Sequence, residues 1–150
     1  MSKFIYRMQN ILNIKYKLED QAKTEFMLAN QALREEEAKL QELKERKYGY
    51  EETIRQLFKK NLQVDRIKEN QEAIVRMEEF IIMQMARVKD AQRQVEIKAA
   101  QLTEVMQERK AQEKLKEKAF ENFLQEENAR ESKEIDELVS FTYGRKQREE

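Results

Sequence analysis

The side chains best suited to acid–base chemistry are a group of carboxylates near the C-terminus. The group comprises Glu126, Glu127, Glu131, Glu134, Asp136 and Glu137. Paired carboxylates can serve as general acid and general base, but only in a pocket that removes one of them from water. The sequence around them is charged and helix-forming, and it contains nothing that would build a pocket. We therefore expect no catalytic residue here.

Other catalytic chemistries are excluded by residue types that the chain lacks. Its 150 residues include no histidine and no cysteine, so neither a Ser-His nor a Cys-His nucleophile can be built. Zinc sites that use these ligands, and disulfide bonds, are excluded for the same reason. We expect a protein that is not an enzyme and that binds no metal ion or other cofactor.

The charges are dense but balanced, with 30 basic and 30 acidic side chains. A net charge of zero gives no electrostatic footprint for nucleic acid. A basic run interleaved with glutamates is predicted to be a solvated face with local ion pairs; it contains Arg109, Lys110, Lys114, Lys116 and Lys118. No apolar run approaches the ~20 residues that cross a bilayer. We expect a soluble, cytoplasmic protein with no nucleic-acid partner and no direct membrane insertion.

Long helices are the elements that must position these side chains. Proline is absent, glycine occurs twice, and strong helix formers dominate the composition. A stripe with steps of three and four residues runs from Ile5 to Leu57, and twelve of its sixteen positions are apolar. Beyond Leu57 a second stripe, out of phase with the first, runs from Ile67 to Val105 with nine apolar positions of twelve. An average step of 3.5 residues predicts a coiled-coil seam on each of two helices.

The phase change predicts a turn between the two stripes. Lys59 and Lys60 suit a helix C-terminus, Asn61 can close a helix in the left-handed conformation, and Asp65 can cap the next helix. We predict an all-α fold, with two long helices in an antiparallel coiled-coil hairpin. It forms one domain over 1–150, with helix 1 about 3–59, the turn about 60–65 and a longer helix 2 about 66–141. One continuous helix with a stutter is the alternative.

Antiparallel pairing over this turn joins residues whose numbers sum to about 125. It predicts that Glu36 faces Lys89 and that Lys47 faces Glu78. Basic and apolar residues at the N-terminus could touch a membrane surface, but we interpret them as the first two turns of helix 1, within the seam. Gly49 is interpreted as a tolerated defect in helix 1 rather than as the close approach of a partner's backbone.

Two groups of apolar residues exceed what a hairpin can bury. Residues 121–141 extend past the pairing partners of the N-terminus. We expect that another molecule covers them; the alternative is a frayed tail that folds only on binding. Between 73 and 88, eleven of sixteen residues are apolar, and several must point away from the seam, which favours a partner surface over a third helix or a homodimer. These outward residues are Val75, Phe80, Ile82, Met83 and Met85.

The chain resembles a known family over nearly its whole length, and three segments carry the resemblance. They are the opening 4–12, the segment 71–81, and the ending 133–138 followed by Arg145 and Lys146. These segments resemble the amphipathic start, the early second helix and the C-terminal Lys-x-x-Asp-Glu pattern of the FliJ family. That family provides the soluble coiled-coil component of the bacterial flagellar type III export apparatus.

The resemblance implies a stalk that is similar to the gamma subunit of rotary ATP synthases. It implies binding to the export ATPase ring, with promotion of ring assembly and activity, and a link to the membrane export gate. Its location would be cytoplasmic, peripheral to the membrane at the flagellar base. Export chaperones are further implied partners. We expect a monomer when the protein is alone.

Carried onto this sequence, the resemblance assigns residues to two contacts. The ring contact would use Lys133, Asp136, Glu137 and Leu138, with the N-terminal turns beside them. The gate contact would use Ala73, Met77, Phe80 and Gln84. Two other functions are kept as alternatives: a structural homodimeric coiled-coil tether, and an export chaperone that holds unfolded clients on the Met-rich stretch.

Overall fold

A computed structural model describes residues 2–60 and 62–149, so the predicted turn residue Asn61 lies outside the described residues. Helix α1 spans Gln9–Lys60 and helix α2 spans Val64–Glu149. The described residues form no strand. The predicted all-α hairpin with a longer second helix is confirmed. Contacts within the chain group into two compact units, Met1–Glu19 with Val105–Glu150, and Asp20–Glu104.

The seam between α1 and α2 in the unit Asp20–Glu104 follows the two predicted stripes. Every stripe position from Ala22 to Leu57 on α1, and from Ile67 to Leu102 on α2, is buried or half-buried. Small and flexible side chains lie deepest, with Ala73 6% exposed and Met77 5% exposed. The recurrence of apolar residues every 3.5 positions places them between the helices because that spacing keeps one face of each helix toward its partner.

Polar contacts fix the register within this unit. The Nζ atom of Lys47 lies 3.4 Å from Oε1 of Glu78, which confirms the predicted pair. The predicted pair of Glu36 with Lys89 is wrong. Gln84 lies there instead, and its Nε2 atom donates to the Glu36 carboxylate and, at 2.9 Å, to the Glu36 carbonyl oxygen. Gln84 belongs to the second stripe and Lys89 does not, so Gln84 faces α1.

The helix boundaries near the turn differ slightly from the predicted ones. Lys59 and Lys60 lie in the last turn of α1, as expected. Helix α2 begins at Val64, so Asp65 lies inside its first turn rather than at the cap. The amide of Ile67 donates to the carbonyl oxygen of Gln63 at 3.1 Å, which closes that first turn. At its other end α2 continues to Glu149, past the predicted end at about 141, because no proline interrupts it.

The first residues do not form the predicted turns of helix 1. Residues 2–8, here called the strap, are non-helical, and α1 begins at Gln9 rather than at about 3. Phe4 and Tyr6 are half-buried while Lys3, Ile5 and Arg7 are exposed. Such alternation is typical of an extended segment with one side against a surface. The strap therefore packs as an extended segment rather than as the expected helical turns.

Aromatic and polar contacts hold the strap on α2 within the unit Met1–Glu19 with Val105–Glu150. The ring centroid of Phe4 lies 5.2 Å from that of Phe120 and 5.4 Å from that of Phe123. At the start of the strap, Nη1 of Arg130 donates to Oγ of Ser2 at 3.4 Å. The strap thus reaches Arg130, and the uncovered part of α2 begins near 131 rather than at the predicted 121.

Candidate partner-binding surfaces

The end of α2 presents large apolar side chains to solvent. We call this set the C-terminal surface; its members are Ile135, Leu138, Val139, Phe141 and Tyr143, all between 60% and 70% exposed. The strap packs on the face of α2 that carries Phe120 and Phe123. Steps of three and four residues along α2 lead from this face to Leu138 and Phe141, so Leu138 and Phe141 continue the same face. Among the described residues nothing lies opposite them, since positions 131–143 are all exposed.

The residues assigned to the ring contact all lie in this exposed part of α2. Lys133, Asp136 and Glu137 are exposed, and Leu138 is 67% exposed. The nearest strap contact is that of Ser2 with Arg130. A single helix segment therefore carries the four predicted positions, and the strap ends just before it.

Most of the C-terminal carboxylates are exposed to solvent. Glu126, Glu131 and Glu134 are exposed like the ring-contact acids. Glu127 differs, because it is 6% exposed and its Oε1 atom accepts a hydrogen bond from Arg130 at 3.1 Å. Within residues 2–60 and 62–149 no group of three or more carboxylates is arranged to hold a metal ion.

A second apolar surface lies on α2 in the unit Asp20–Glu104. We call it the α2 patch; it consists of Val75, Phe80, Ile82, Met83 and Met85, which are 47% to 69% exposed. These residues point away from the seam, as the sequence predicted. The helix is apolar on both its inner and outer faces here, which is typical of a helix that is covered on more than one side.

The residues assigned to the gate contact divide between these two faces. Ala73, Met77 and Gln84 are buried against α1, each 6% exposed or less, whereas Phe80 is 47% exposed. The structure therefore does not bring the four together on one accessible surface. Phe80 belongs to the α2 patch, and the other three help to hold that part of α2 in place.

A charged network joins α1 to α2 in the unit Met1–Glu19 with Val105–Glu150. Arg109 donates from Nε to Oε2 of Glu19 at 2.7 Å and from Nη2 to Oε1 of Glu19 at 3.2 Å. Its Nη1 atom donates to Oε2 of Glu113 at 3.0 Å, and the hydroxyl of Tyr16 donates to Oε1 of Glu113 at 2.6 Å. The fork of the guanidinium group suits this two-carboxylate arrangement.

Titration of these groups is shifted in consistent directions. The hydrogen bond to Glu113, followed by desolvation, raises the pKa of Tyr16 above its ordinary value of 10.0. The same hydrogen bond, followed by that from Arg109, lowers the pKa of Glu113 below 4.5. Hydrogen bonds to Glu19 and Glu113 raise the pKa of Arg109. The network thus favours a charged carboxylate, a charged guanidinium and a neutral phenol.

Sequence reasoning missed the main role of Arg109. The basic run was predicted to be a solvated face with local pairs, and the Arg109–Glu113 pair fits that prediction. The bond to Glu19, which is 5% exposed, does not. The signal was present, because Glu19 interrupts the first stripe and Arg109 lies four residues after Val105, the last position of the second. Two opposite charges in facing seams predict a buried pair.

Comparison with known proteins assigns the chain to one family. The model of the family described as Flagellar FliJ protein matches residues 3–148. Neither the comparison with curated proteins nor the comparison with solved structures found a match. No helix in the described parts of the chain has an apolar stretch long enough to cross a membrane. The match includes both exposed surfaces and the charged network.

Proposed function

The chain belongs to the FliJ family of flagellar export components, and from that membership we propose that it is a non-enzymatic stalk of the flagellar type III export apparatus. In this role it binds the ring of export ATPase subunits, promotes ring assembly and ATP turnover, and links the ring to the membrane export gate. The C-terminal surface makes the ring contact, and the α2 patch makes the gate contact.

One observation carries the ring contact. The helix face that packs against the strap continues to Leu138 and Phe141, which are 67% and 70% exposed. Burying a large apolar side chain contributes about 1.5–3 kcal/mol, and a single helix without a packing partner is marginal in water. Both effects favour a partner that covers this end of α2.

The exposed charges around that surface suit a contact that must form and release. Next to Leu138, Lys133 carries a positive charge and Asp136 and Glu137 carry negative charges, so both signs are present at the contact. A single helix inside a ring of like subunits offers each subunit a different set of contacts. Subunits then differ in free energy, and nucleotide affinity becomes coupled to position around the ring.

The test is a titration of the cognate export ATPase with the purified protein. We expect the rate of ATP hydrolysis to rise with added protein, and Leu138→Glu to weaken this effect because it places a charge in an apolar contact. Ser140→Glu is the matched control, since Ser140 lies two residues further on a different face of the helix. Failure of the unaltered protein to raise the rate at any ratio would reject the ring contact.

The gate contact depends on Phe80 and its outward neighbours. Phe80 and Met83 lie three residues apart on one side of α2, 47% and 58% exposed. Aromatic and methionine side chains are enriched at protein interfaces. Ala73, Met77 and Gln84 contribute by packing on α1, which presents Phe80 outward.

Direct binding to the soluble part of the gate protein tests this second contact. Phe80→Glu should abolish binding while leaving stimulation of the ATPase intact. Ile97→Glu serves as the control, because Ile97 is an exposed apolar residue of α2 outside the patch. Equal losses in the two variants would show that the patch has no special role.

A further inference from the structure

We propose that the hairpin tip docks on the surface of an anionic lipid bilayer. The hairpin tip comprises the described residues Phe58–Lys60 and Leu62–Lys68, where α1 ends and α2 begins. The contact is at the level of the lipid headgroups and requires no helix to enter the bilayer. It is independent of the ring and gate contacts, since it uses other residues.

Three apolar side chains of the tip are not used by the hairpin. Phe58, Leu62 and Val64 are 60%, 64% and 65% exposed. The neighbouring Ile67 is 8% exposed and packs in the seam, so the fold is anchored by other residues than these three. Apolar side chains held at an exposed end can enter the boundary between headgroups and acyl chains.

Cations surround these apolar side chains. Lys59, Lys60, Arg66 and Lys68 are all exposed, and none forms an ion pair with another described residue. Asp65 is the single carboxylate of the tip, so four positive charges stand against one negative charge in a chain whose net charge is zero. Arg55, just outside the tip, is neutralised by Glu52 at 3.0 Å. The tip therefore combines a local excess of positive charge with exposed apolar side chains.

A groove next to the tip offers room for a phosphate-bearing headgroup. It has a volume of about 610 Å³, and its lining includes Lys60, Gln63, Arg66, Tyr48 and Glu52. Ammonium, guanidinium and amide groups are the donors that phosphate oxygens accept most strongly. Lys60 and Arg66 are thus positioned both for the bilayer surface and for a single headgroup.

The combination of features favours a bilayer over an acidic protein. An anionic membrane supplies negative charge over a wide area and an apolar boundary directly beneath it, and the tip presents both complementary features. Three of the four cations are lysines, which act as flexible point charges and need no fixed carboxylate geometry. An acidic protein surface without apolar side chains would satisfy the cations but leave Phe58, Leu62 and Val64 in contact with water.

Co-sedimentation of the full chain with vesicles tests the proposal. We expect binding to vesicles of phosphatidylcholine with phosphatidylserine, little binding to phosphatidylcholine alone, and weaker binding as salt screens the charges. Replacing Lys59 and Lys60 together by glutamine should lower partitioning at least about tenfold, because each basic residue near the surface contributes on the order of fivefold. Phe58→Ser should also lower it, even at low salt.

Matched variants distinguish binding through the tip from binding through exposed charge or apolar surface elsewhere on the chain. Lys44→Gln with Lys89→Gln removes two exposed lysines of the same unit, and Met27→Ser removes an apolar side chain that is 67% exposed. Both should bind vesicles as the unaltered chain does, with equal helicity by circular dichroism. Equal binding to neutral vesicles, no vesicle binding, or undiminished binding of the lysine or Phe58 variants would overturn the proposal. Binding to polyglutamate without binding to vesicles would also overturn it and indicate an acidic protein surface.

Discussion

Phe4 packs against Phe120 in an edge-to-face arrangement, with the ring centroids 5.2 Å apart and the planes inclined by 69°. Aromatic pairs of this geometry are favourable beyond the area that they bury. The ring centroid of Phe123 lies 5.4 Å from that of Phe4 and 6.4 Å from that of Phe120. The three rings form an aromatic cluster that ties the strap to α2.

Removing the Phe4 ring should release the strap. We expect Phe4→Ala to lower the free energy of unfolding by about 2 kcal/mol, since half-buried aromatic packing is lost, and to expose Phe120 and Phe123. Thermal unfolding and amide hydrogen exchange measure the two effects. Ile5→Ala is the control, because Ile5 is 76% exposed and should change little. Equal effects from the two variants would contradict the strap.

The bond between Arg109 and Glu19 should be more important than an exposed pair. Arg109→Met leaves a carboxylate that is 5% exposed without its guanidinium partner, which is the costly way to break a buried pair. We expect a clear fall in the temperature of unfolding, and recovery in the double variant Arg109→Met with Glu19→Leu. Arg93→Met breaks the exposed pair with Asp90 and should have almost no effect. A single variant as stable as the double one would contradict the network.

The Tyr16–Glu113 bond should make stability depend on pH at both extremes. The pKa of Tyr16 is raised, so its contribution is fully present below about pH 10 and is lost as the pH rises through the raised value. The pKa of Glu113 is lowered, so its contribution is present above 4.5 and is lost as the pH falls through the lowered value.

Tyr16→Phe should therefore differ most from the unaltered protein at neutral pH. Urea unfolding at acidic, neutral and alkaline pH measures the difference in stability. It should shrink in acid and in alkali, because the contributing groups change charge there. Tyr143→Phe is the control, since Tyr143 is 64% exposed. A difference that stays constant with pH would show that the bond is not formed.

Gly49 should be replaceable without harm. A Cβ atom built there meets nothing within 4 Å, and the residue is helical without positive φ. We expect Gly49→Ala to raise the free energy of unfolding by about 1 kcal/mol, the difference in helix propensity. Chemical denaturation measures it. A fall in stability would mean that the glycine has a structural role, and lost partner binding would support the close-approach interpretation.

The isolated protein should be a monomer. A hairpin buries its own seams, and we expect light scattering to give a mass near 18.2 kDa. A stable dimer at twice that mass, which dissociates in Leu138→Glu but not in Ser140→Glu, would instead support the homodimeric tether, with the C-terminal surface as its interface.

The seam was predictable because apolar residues recur at steps of three and four many times along the chain. Ile74, Met77 and Ile81 recur at the right spacing, and the same phase places the polar residues Gln84 and Lys98 against α1. Their contacts with Glu36 and Glu25 follow from that phase. A signal that depends on so many positions tolerates single exceptions.

The strap could not be predicted from the spacing of apolar residues. Ile5 and Met8 fit the stripe, yet they are 76% and 38% exposed. Phe4 and Tyr6, which do not fit it, are the residues that pack. Helix propensity and periodicity describe local preference, whereas the strap is held by distant rings on α2, and such tertiary contacts override local preference.

The four residues that the resemblance assigns to the gate contact do not share one exposed face of α2. Met77 and Gln84 lie in the second stripe, so their burial was already implied when the resemblance assigned them to a partner. Phe80 lies outside the stripe and is the member that solvent reaches. Whether a position on a helix can meet a partner is decided by the face that its own hairpin covers.

Each unit of the chain contains a polar bond between the helices at a buried position: Gln84 with Glu36 in one, Arg109 with Glu19 in the other. A slip of one heptad would keep apolar residues facing one another, but it would leave these carboxylates without their donors. Translation of one helix along the other is therefore disfavoured within each unit. A displacement of either helix along its partner would have to break the polar bond of that unit.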